Sequence, residues 1–369
     1  MNSASAQRIS ICSPRIDEPV ISRCGTIEFE DVVCEIDDVA LHPSGAVSRG
    51  PLARRAARTW ISTFSSRSPS PRSELFFLSV HTPSELARIP ALHEHLKQAR
   101  FAACNIDEVW AKGVASYHGD FAFLRAFDHL FTPCHGGVEE LSARVGRPVS
   151  YLPPSVDALR FAPASPEPER VIDFHFMGRR RPELHAALSA FARESGRFYL
   201  FDSVQFSPRV ADAAEHRRRL ADLVQRSRAF VVDVANADAL DKTGGQVEFG
   251  PRYVEGAAGG AVLVGRAPAT AAFAAQFGWP DAVLPLDENP ATIRALVRAL
   301  DEDPARCERI SRANVRNVLL HHDVAYRWEA ILGVFGLAPS ARLAERKKRL
   351  ASVAARFGPA AEPLRMALA

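Results

Sequence analysis

Residues 171–202, VIDFHFMGRRRPELHAALSAFARESGRFYLFD, pass from an apolar run through a helical pattern into a second apolar run. We predict a strand over Val171–Met177, a helix over Pro182–Glu194 and a strand over Phe198–Asp202. A strand, a helix and a strand in this order form a crossover between parallel strands. The stretch therefore predicts the α/β class with a parallel sheet.

The same alternation continues through the C-terminal half of the chain. Further apolar runs predict strands over Ala229–Val234, Ala261–Val264 and Ala282–Pro285. The helical patterns around them cover Glu215–Gln225, Gly250–Ala258, Thr270–Phe277, Pro290–Leu300 and Pro304–Leu320. Together these elements predict a C-terminal Rossmann-like domain over residues 171–337, with helices on both faces of its sheet.

An earlier part of the chain repeats this organisation. A continuous apolar run predicts a buried strand over Glu74–Val80, and the same alternation predicts strands over Phe101–Ile106, His129–Thr132 and Val149–Leu152. Helical patterns cover Pro83–Gln98, Asp107–Ala115 and Val138–Val145. We predict an N-terminal Rossmann-like domain over residues 20–152.

The first seventy or so residues carry weaker patterns. Residues 1–19 are polar and lack periodicity, which predicts a flexible arm. Glu30–Leu41 is interpreted as a strand. Ser44–Arg72 is rich in Ser, Arg and Pro and is typical of a long loop or lid with one short helix.

Prolines separate the two predicted domains. Residues 153–170 contain Pro153, Pro154, Pro163, Pro166 and Pro168, and proline cannot continue a helix or a central strand. We place the interdomain linker there. Two parallel-sheet domains joined in this way leave a cleft at the carboxyl ends of their strands, where open α/β proteins bind ligands.

Composition limits the classes of protein that remain. The chain has 369 residues, of which 47% are hydrophobic, and 46 Lys and Arg against 43 Asp and Glu give a net charge of +3. This balance excludes a disordered chain and gives no electrostatic case for nucleic acid as a partner. No apolar run approaches membrane-spanning length and the N-terminus is charged, which predicts a cytoplasmic protein. The six cysteines form no C-x-x-C pair, which argues against a zinc or redox site.

The turn Gly178-Arg179-Arg180-Arg181-Pro182 follows a predicted strand and opens a predicted helix. Glycine allows close approach of the backbone, a helix N-terminus offers unpaired N–H groups, and guanidinium groups pair with phosphate oxygens. The turn predicts an anion site. The alternative is a solvated corner with no ligand.

A second cluster, residues 244–260, places Glu248 and Glu255 on either side of the predicted start of a helix at Gly250. A carboxylate in such a place accepts hydrogen bonds from a ribose diol. The alternative is structural: the glycines let helix and strand pack closely, and Arg252 pairs with Glu255 on the helix surface.

These motifs stand in the order of a known family. Residues 151–163, YLPPSVDALRFAP, resemble the LPNGVD…F.P linker of group 1 glycosyltransferases with the two-domain GT-B fold. Residues 176–179, FMGR, resemble the family's VGR turn, residues 248–259 a shortened EGFG…E…A.G donor motif, and residues 284–288 the start of its C-terminal tail. Residues 321–328, HHDVAYRW, are similar to the HT…R segment of the spore-maturation-type branch. The resemblance covers about residues 128–335.

The resemblance implies a fold of two Rossmann-like domains with parallel sheets and an interdomain cleft that holds a nucleotide-diphosphate sugar. Gly178 and Arg179 would meet the diphosphate, with Arg180 as a substitute for a further basic residue. Glu255 would bind the ribose, and Glu248 would lie near the donor sugar as a catalytic residue. The other implied donor-site residues are Arg252 and Tyr253, from an R-[FY]-x-E form of the motif, and Gly259, the glycine after the donor helix.

The activity implied is hexosyl transfer to an acceptor hydroxyl, with retention of configuration and without a divalent metal or other cofactor. The sequence has no convincing D-x-D metal motif. Such enzymes serve polysaccharide or glycoconjugate synthesis, and the acceptor here is a glycan, a lipid-linked sugar or a small molecule. An alternative is a degenerate GT-B protein that binds a nucleotide sugar or a partner without turnover.

His81 follows the predicted strand Glu74–Val80, where a loop points into the cleft, and is the predicted catalytic histidine on the acceptor side. His118 and His135 lie in comparable loops, and each of the three is alternatively a solvated loop residue.

The C-terminal segment 338–369 contains a basic stretch at residues 342–357 with six Lys and Arg and one acid. Its apolar residues recur at near-helical spacing, which favours a helix. This helix either rests on an anionic membrane surface, at the inner membrane face, or packs back on the domain with a solvated basic face.

Overall fold

The computed structural model describes residues 7–13, 20–43, 67–89, 92–202 and 209–358. Within these ranges the chain forms two parallel sheets, with strand orders β2-β1-β3-β4-β5-β6 and β11-β10-β9-β7-β8. The first sheet is built from β1 (Gln7–Ser13), β2 (Val39–Pro43), β3 (Ser73–Val80), β4 (Ala99–Ile106), β5 (His129–Thr132) and β6 (Val149–Tyr151). The second is built from β7 (Ile172–Phe176), β8 (Tyr199–Phe201), β9 (Ser227–Val232), β10 (Val262–Gly265) and β11 (Leu284–Pro285). The predicted α/β fold with two Rossmann-like sheets is confirmed.

Helices cover the faces of both sheets. Those before β7 are α1 (Cys24–Ile36), α2 (Leu92–Gln98), α3 (Phe121–Leu124), α4 (Val138–Val145) and α5 (Ala158–Phe161). Those after it are α6 (Pro182–Ser195), α7 (Ala213–Gln225), α8 (Leu240–Thr243), α9 (Pro251–Ala258), α10 (Ala271–Gln276), α11 (Pro290–Glu302), α12 (Pro304–His321), α13 (Val324–Val334) and α14 (Ala341–Ala354). Short 3-10 helices lie at Ile21–Arg23, Pro83–Arg88, Ala111–Asp120, His135–Gly137 and Ala355–Phe357.

The N-terminal region departs from the sequence-based prediction in two places. Gln7–Ser13, expected within a flexible arm, is strand β1 and pairs with both β2 and β3. Ile9 and Ile11 are fully buried, since the strand lies inside the sheet. The predicted strand Glu30–Leu41 is instead the end of helix α1 and strand β2. The neighbouring pair Val32-Val33 suggested a strand, but the buried residues of α1 follow a helical period.

Two other predictions change in detail. The helix expected over Pro83–Gln98 is a 3-10 helix, Pro83–Arg88, and a separate helix, Leu92–Gln98. The sequence has Pro90 between them, and proline removes an N–H from a helical ladder. The helix expected over Asp107–Ala115 is a 3-10 helix at Ala111–Asp120. Of the predicted loop Ser44–Arg72, residues 44–66 lie outside the described residues.

Three apolar cores hold these layers together. One fills the outer face of the N-terminal sheet and one the outer face of the C-terminal sheet. The third is continuous across the two halves, from Ile11 and Phe77 through Val156 and Phe161 of the predicted linker to Trp328. The linker residues therefore pack as part of a shared core, and they include one helical turn at α5.

The end of the chain returns to the N-terminal half. Trp328 Nε1 in α13 donates a hydrogen bond to Asp37 Oδ2 over 2.8 Å, and its ring lies 5.6 Å from that of Phe77. Helices α13 and α14 both contact α1. The two sheets are therefore joined twice, by the linker and by the C-terminal helices.

Candidate functional site

A cavity of about 540 Å³ opens between the carboxyl ends of the two sheets. From the N-terminal half it is lined by residues at the ends of β3, β4 and β5 and at the start of α1. From the C-terminal half it is lined by the loops after β7 and β9 and by the start of α9. This is the size and place of a small-molecule site in an open α/β protein.

Five of the nine predicted site residues line this cavity. They are His81, Arg179, Glu248, Arg252 and Glu255. The four that do not line it are Gly178, Arg180, Tyr253 and Gly259.

Gly178 shapes the turn after β7 from outside the cavity wall. Its φ is +82°, a left-handed conformation that glycine adopts without strain. Its N–H donates to Asp202 Oδ2 over 2.6 Å, and a Cβ at this position would lie 3.5 Å from Arg252 Nε. The second distance is an ordinary van der Waals contact, so the glycine is needed for the left-handed φ and not for space, and Arg252 lies beside the turn.

The three arginines of this turn take different directions. Arg179 reaches the cavity, is 53% exposed, and donates from NH1 to Asn236 Oδ1. Arg180 instead donates to the carbonyl of Asp202 over 2.6 Å and lies over the Phe201 ring. Arg181 is paired with Asp233 over 2.7 Å. Of the three, Arg179 is the one placed to meet a ligand anion.

Glu255 on α9 is 2% exposed and has both carboxylate oxygens engaged. Arg217 of α7 pairs with Oε1, and Arg252 donates to Oε2 over 2.5 Å. Burial alone raises the pKa of this carboxyl, but the two guanidinium groups outweigh burial and lower the pKa to about 2. Glu255 is therefore ionised at the cavity wall.

Arg217 also connects Glu255 to the other half of the molecule. It donates from Nε and NH2 to the two oxygens of Glu28 in α1, over 3.1 and 2.8 Å. Arg160 joins the same carboxylate over 3.2 Å. A buried chain of alternating charges therefore crosses the boundary between the two sheets.

Glu248 contacts the N-terminal half directly. Its Oε1 accepts from the Gly136 N–H over 2.7 Å and from Gln246 Nε2 over 2.8 Å. The residue is 5% exposed, and burial raises the pKa of its carboxyl. Glu248 lines the cavity, but one carboxylate oxygen is committed to holding the two halves together.

Tyr253 and Gly259 are buried and contribute to the packing of α9 rather than to the cavity wall. Tyr253 is fully buried among Phe249, Phe273 and Phe277, and its hydroxyl donates to the carbonyl of Arg266. A Cβ on Gly259 would lie 2.5 Å from Val224 Cγ1, so the glycine lets α9 end close to α7. Neither residue lines the cavity, where both are predicted to contact the donor. Tyr253 lies on the buried face of α9, and Gly259 directly follows the helix where it packs against α7.

His81 faces the cavity from the end of β3 and is paired with Glu108. The Nε2–Oε2 distance is 2.9 Å, and this hydrogen bond raises the pKa of His81. The same bond, with others from Trp110 and Asn236, lowers the pKa of Glu108 to about 2. The arrangement favours a protonated histidine on the acceptor side of the cavity.

Next to this pair, Asp107 lies at the end of β4. Burial raises its pKa to about 6, against the opposing charges of His81 and Arg23. Asn105 Nδ2 donates to Asp107 Oδ1 over 2.8 Å. His118 and His135, the other two candidate histidines, do not line the cavity.

Sequence reasoning missed Arg217, Asn236, Glu108 and Asp107. A signal existed for Arg217, since it stands three, four and seven positions before Leu220, Ala221 and Val224, all buried on one face of α7. Glu108 and Asp107 directly follow a predicted strand, the place from which loops reach the cleft. No local pattern marks Asn236.

The basic stretch at residues 342–357 forms most of α14 and the turn after it. Its buried apolar residues are Leu343, Leu350, Ala354 and Phe357. Arg346 is buried as well and pairs with Asp157 over 2.6 Å and Asp323 over 2.8 Å. The apolar face packs on the body of the protein, as the second of the two alternatives predicted, and is not available to a membrane surface in this structure.

In the described ranges, no group of three or more His, Cys, Asp or Glu side chains is arranged to hold a metal ion. Metal independence stays a prediction. No helix in the described part of the chain combines the length and apolar character needed to cross a membrane.

Comparisons with known proteins address the fold. Residues 174–333 match a family model described as glycosyl transferase-like. The chain is similar to a glycosyltransferase from Rickettsia africae, at 10% identity and a TM-score of 0.52, with 90% of this chain and 98% of that one covered. It is also similar to an alpha-glucosyltransferase solved with UDP and a DNA 13-mer, at 12% identity and a TM-score of 0.55, with 89% and 98% covered.

A third similar structure is Alr3699/HepE from Anabaena in complex with UDP-glucose, at 9% identity and a TM-score of 0.50, with 89% and 99% covered. No curated protein sequence matches the chain significantly. The resemblance to the spore-maturation-type branch stays a prediction. The chain has the two-domain GT-B fold of these glycosyltransferases, and residues 174–333 match the glycosyl transferase-like family.

Proposed function

We propose that the protein is a glycosyltransferase of the hexosyl type that moves a sugar from a nucleotide-diphosphate sugar to an acceptor hydroxyl. The observation that carries the proposal is the cavity between the sheets, where Arg179, Arg252, Glu248 and Glu255 face His81 across the cleft. Anion-binding and hydrogen-bond-accepting groups lie on one side and a histidine on the other, which suits a charged donor meeting a neutral acceptor.

On the donor side, the diphosphate meets Arg179, with Arg252 beside the Gly178 turn. As the bond from the sugar to the diphosphate breaks, negative charge grows on the leaving group, and fixed guanidinium groups stabilise it where it develops. Each carboxylate oxygen accepts about two hydrogen bonds, so Glu255 can receive a ribose hydroxyl while keeping its arginine partners. We propose that the reaction proceeds without a divalent metal and with retention of configuration, with no nucleophile assigned.

On the acceptor side, we propose that His81 orients a hydroxyl of the donor sugar or acceptor. The acceptor is a glycan, a lipid-linked sugar or a small molecule rather than nucleic acid, since the chain has a net charge of only +3. A role in cytoplasmic polysaccharide or glycoconjugate synthesis goes with this proposal. A contact of α14 with an anionic membrane would involve only the charges of its exposed basic residues, because its apolar face is buried.

One observation favours a second candidate, a GT-B protein that binds a nucleotide sugar without turnover. Both carboxylates expected to meet the donor already have protein partners, Glu255 through two arginines and Glu248 through the Gly136 N–H and Gln246. Carboxylates that are held by protein partners and join the two halves can still shape a binding site, but they are less free to take part in a reaction.

The test is nucleotide binding, measured by thermal shift and calorimetry on the full chain with UDP, GDP, ADP and CMP. A ligand that binds only the folded state raises the melting temperature. UDP is the first choice because two of the similar structures contain UDP or UDP-glucose. We expect R179A to weaken binding, whereas R180A, the matched change one residue later and outside the cavity, binds as the wild type does.

Turnover then separates the two candidates. Release of UDP from UDP-glucose is followed with sugar, lipid-linked and DNA acceptors, with and without EDTA, and the anomeric configuration of the product is read by NMR. Release that persists in EDTA and gives a retained product supports the first candidate. Tight UDP binding with no release for any acceptor supports the second, and absence of binding to every nucleotide contradicts both.

A further inference from the structure

Asn236, in the loop after β9, joins the two halves of the cleft through both ends of its side-chain amide. Its Nδ2 donates to Glu108 Oε1 over 2.8 Å, and Glu108 belongs to the N-terminal half. Its Oδ1 accepts from Arg179 NH1 in the C-terminal half. A single side chain therefore holds one group on each wall of the cavity.

The hydrogen bonds continue on the N-terminal side. Glu108 Oε2 is paired with His81 Nε2 over 2.9 Å, and Trp110 Nε1 donates to Glu108 Oε1 over 2.8 Å. His81, Glu108, Asn236 and Arg179 thus form one line from the acceptor wall to the donor wall. Asn236 is the member of this line without a charge, and it is the one that connects the two walls.

The backbone of Asn236 is held in a left-handed conformation with φ of +56°. Among the described residues, Asp281, with φ of +57°, is the one other non-glycine residue with positive φ. Asparagine is one of the few non-glycine residues that adopts this conformation readily. The position therefore accommodates the turn and also supplies a side-chain amide, which glycine lacks.

The hydrogen bond to Asn236 holds the side chain of Arg179 in place. It is 53% exposed, and a long exposed side chain loses rotamer freedom when a ligand orders it. Among the described residues, its side-chain hydrogen bonds are made through NH1, to Asn236 and Asp238. Its Nε and NH2 make no hydrogen bond to the described residues, which leaves two donors for bidentate contact with phosphate oxygens.

We propose that Asn236 is a positioning residue: it fixes Arg179 in advance for the donor diphosphate and, through Glu108, couples an occupied donor site to His81 on the acceptor wall. The proposal rests on the proposed function, because it requires Arg179 to bind the diphosphate. It predicts that nucleotide binding on one half of the cleft is detected at Trp110 on the other.

The first test is a double-mutant cycle on UDP affinity, measured by calorimetry. N236G keeps a backbone suited to φ of +56° and removes both hydrogen bonds. We expect it to weaken UDP binding roughly 3- to 10-fold, the effect of leaving one long side chain to be ordered on binding. The double variant R179A/N236G should bind UDP no more weakly than R179A, because Asn236 acts through Arg179.

The matched control is D281G, which makes the same kind of backbone change at the other positive-φ residue, in an exposed pair with Arg306. Its UDP affinity should equal that of the wild type. If R179A weakens binding and N236G does not, the role of Asn236 is contradicted while the donor site stands. If R179A itself binds as the wild type does, the donor site is wrong.

The second test observes the coupling. The indole N–H signal of Trp110, assigned with W110F, should shift when UDP saturates the wild-type protein and should stay in place in saturated N236G. N236D serves if N236G fails to fold, since the new carboxylate accepts from Arg179 but has no N–H for Glu108. It should weaken UDP binding at least as much as N236G does, because the new carboxylate adds negative charge beside the diphosphate and faces the Glu108 carboxylate, and it should lose the Trp110 shift. An equal Trp110 shift in wild type and N236G, or in wild type and N236D, overturns the coupling.

Discussion

At the scale of single residues, burial decides what each charge does. Arg217 is 4% exposed and neutralises two carboxylates, Glu28 in α1 and Glu255 in α9. Its neighbour Arg218 is 58% exposed and pairs with Glu215 within the same helix. The two arginines are adjacent in sequence and differ only in the face of α7 from which they project.

From this contrast we predict how much each arginine contributes to the free energy of unfolding. R217M should lower the free energy of unfolding by about 3–5 kcal/mol, because it removes the buried guanidinium that two buried carboxylates share and leaves Glu28 with Arg160 alone and Glu255 with Arg252 alone. R218M, with the same change in charge and shape, should lower it by less than about 1 kcal/mol. Urea unfolding followed by circular dichroism measures both. Equal losses for the two variants would show that the buried chain of charges does not carry the stability assigned to it.

Asp107 gives a prediction about pH. Its pKa in the fold is about 6, above the ordinary 3.8, so the fold favours the protonated form. The stabilisation that this proton provides is present below about pH 4 and is lost as pH rises through 6. The stability of the wild type relative to D107N should therefore fall by on the order of 1–2 kcal/mol between pH 4 and pH 7, after allowance for partial solvent access.

The charged groups that face Asp107 are His81, Arg23 and Glu85, and all are present in both proteins. D281N is a control of opposite sign. The hydrogen bond from Arg306 lowers the pKa of Asp281, so the advantage of the wild type over D281N should rise with pH. A wild-type advantage over D107N that is flat or rises across this range would contradict the burial of Asp107.

At the scale of elements, the position of α9 depends on its small residues. A Cβ on Gly256 would lie 2.6 Å from Leu263 Cδ2 and 2.7 Å from Phe230 Cδ1 on the sheet below. The helix therefore sits close enough to β9 and β10 for its first turn to line the cavity. A larger residue would move α9 and, with it, Arg252 and Glu255.

G256A should accordingly destabilise the protein by about 1–3 kcal/mol through overpacking, less a few tenths to about 1 kcal/mol gained in helix propensity. G333A is the matched change within a helix, in α13, where a Cβ meets nothing within 4 Å. Its helix propensity gain should appear unopposed as a rise in melting temperature. A rise of the same size in G256A would contradict the close packing of α9.

At the scale of the whole molecule, the two halves share a core. The apolar cluster that contains Ile11 and Phe77 also contains Phe161, Leu263 and Trp328. Two buried ionic groups reinforce it: Glu28–Arg217–Glu255, and Arg346 with Asp157 and Asp323. Separation of the halves would expose both charges and apolar surface.

We therefore expect the halves to unfold together. Tryptophan fluorescence comes from Trp60 and Trp110 in the N-terminal half of the sequence and from Trp279 and Trp328 in the C-terminal half. It should give the same urea midpoint as far-UV circular dichroism. UDP should move both signals by the same amount, because mass action on one site stabilises the whole cooperative unit. Two separate transitions would show that each half folds by itself.

The sequence by itself determined the order of the strands from Ser73 to Pro285 and the longer helices between and after them. Strands such as β3 and β9 contain continuous apolar runs, and helices such as α4 and α6 carry an unbroken 3.6-residue period, so local pattern is sufficient to predict them. Strand β1 was missed because Ile9 and Ile11 form too short an alternation among polar residues, and β2 and β3 complete its burial. The sequence also placed Arg179 and Glu255 at the carboxyl edge of the second sheet, where both line the cavity, and their roles toward a ligand stay predictions.

Only the tertiary structure decided how these residues act. Tyr253 and Gly259 share a motif with Arg252 and Glu255, yet Tyr253 lies on the buried face of α9 and Gly259 lies where the helix ends against α7. Other contacts join residues that are distant in sequence: Arg217, which pairs with Glu255 38 residues on, also bonds Glu28, 189 residues away, and Asn236 bonds Glu108, 128 residues away. Hydrogen bonds and ion pairs act over a few ångströms in space, so contacts of this kind leave no periodic or local trace in the chain that forms them.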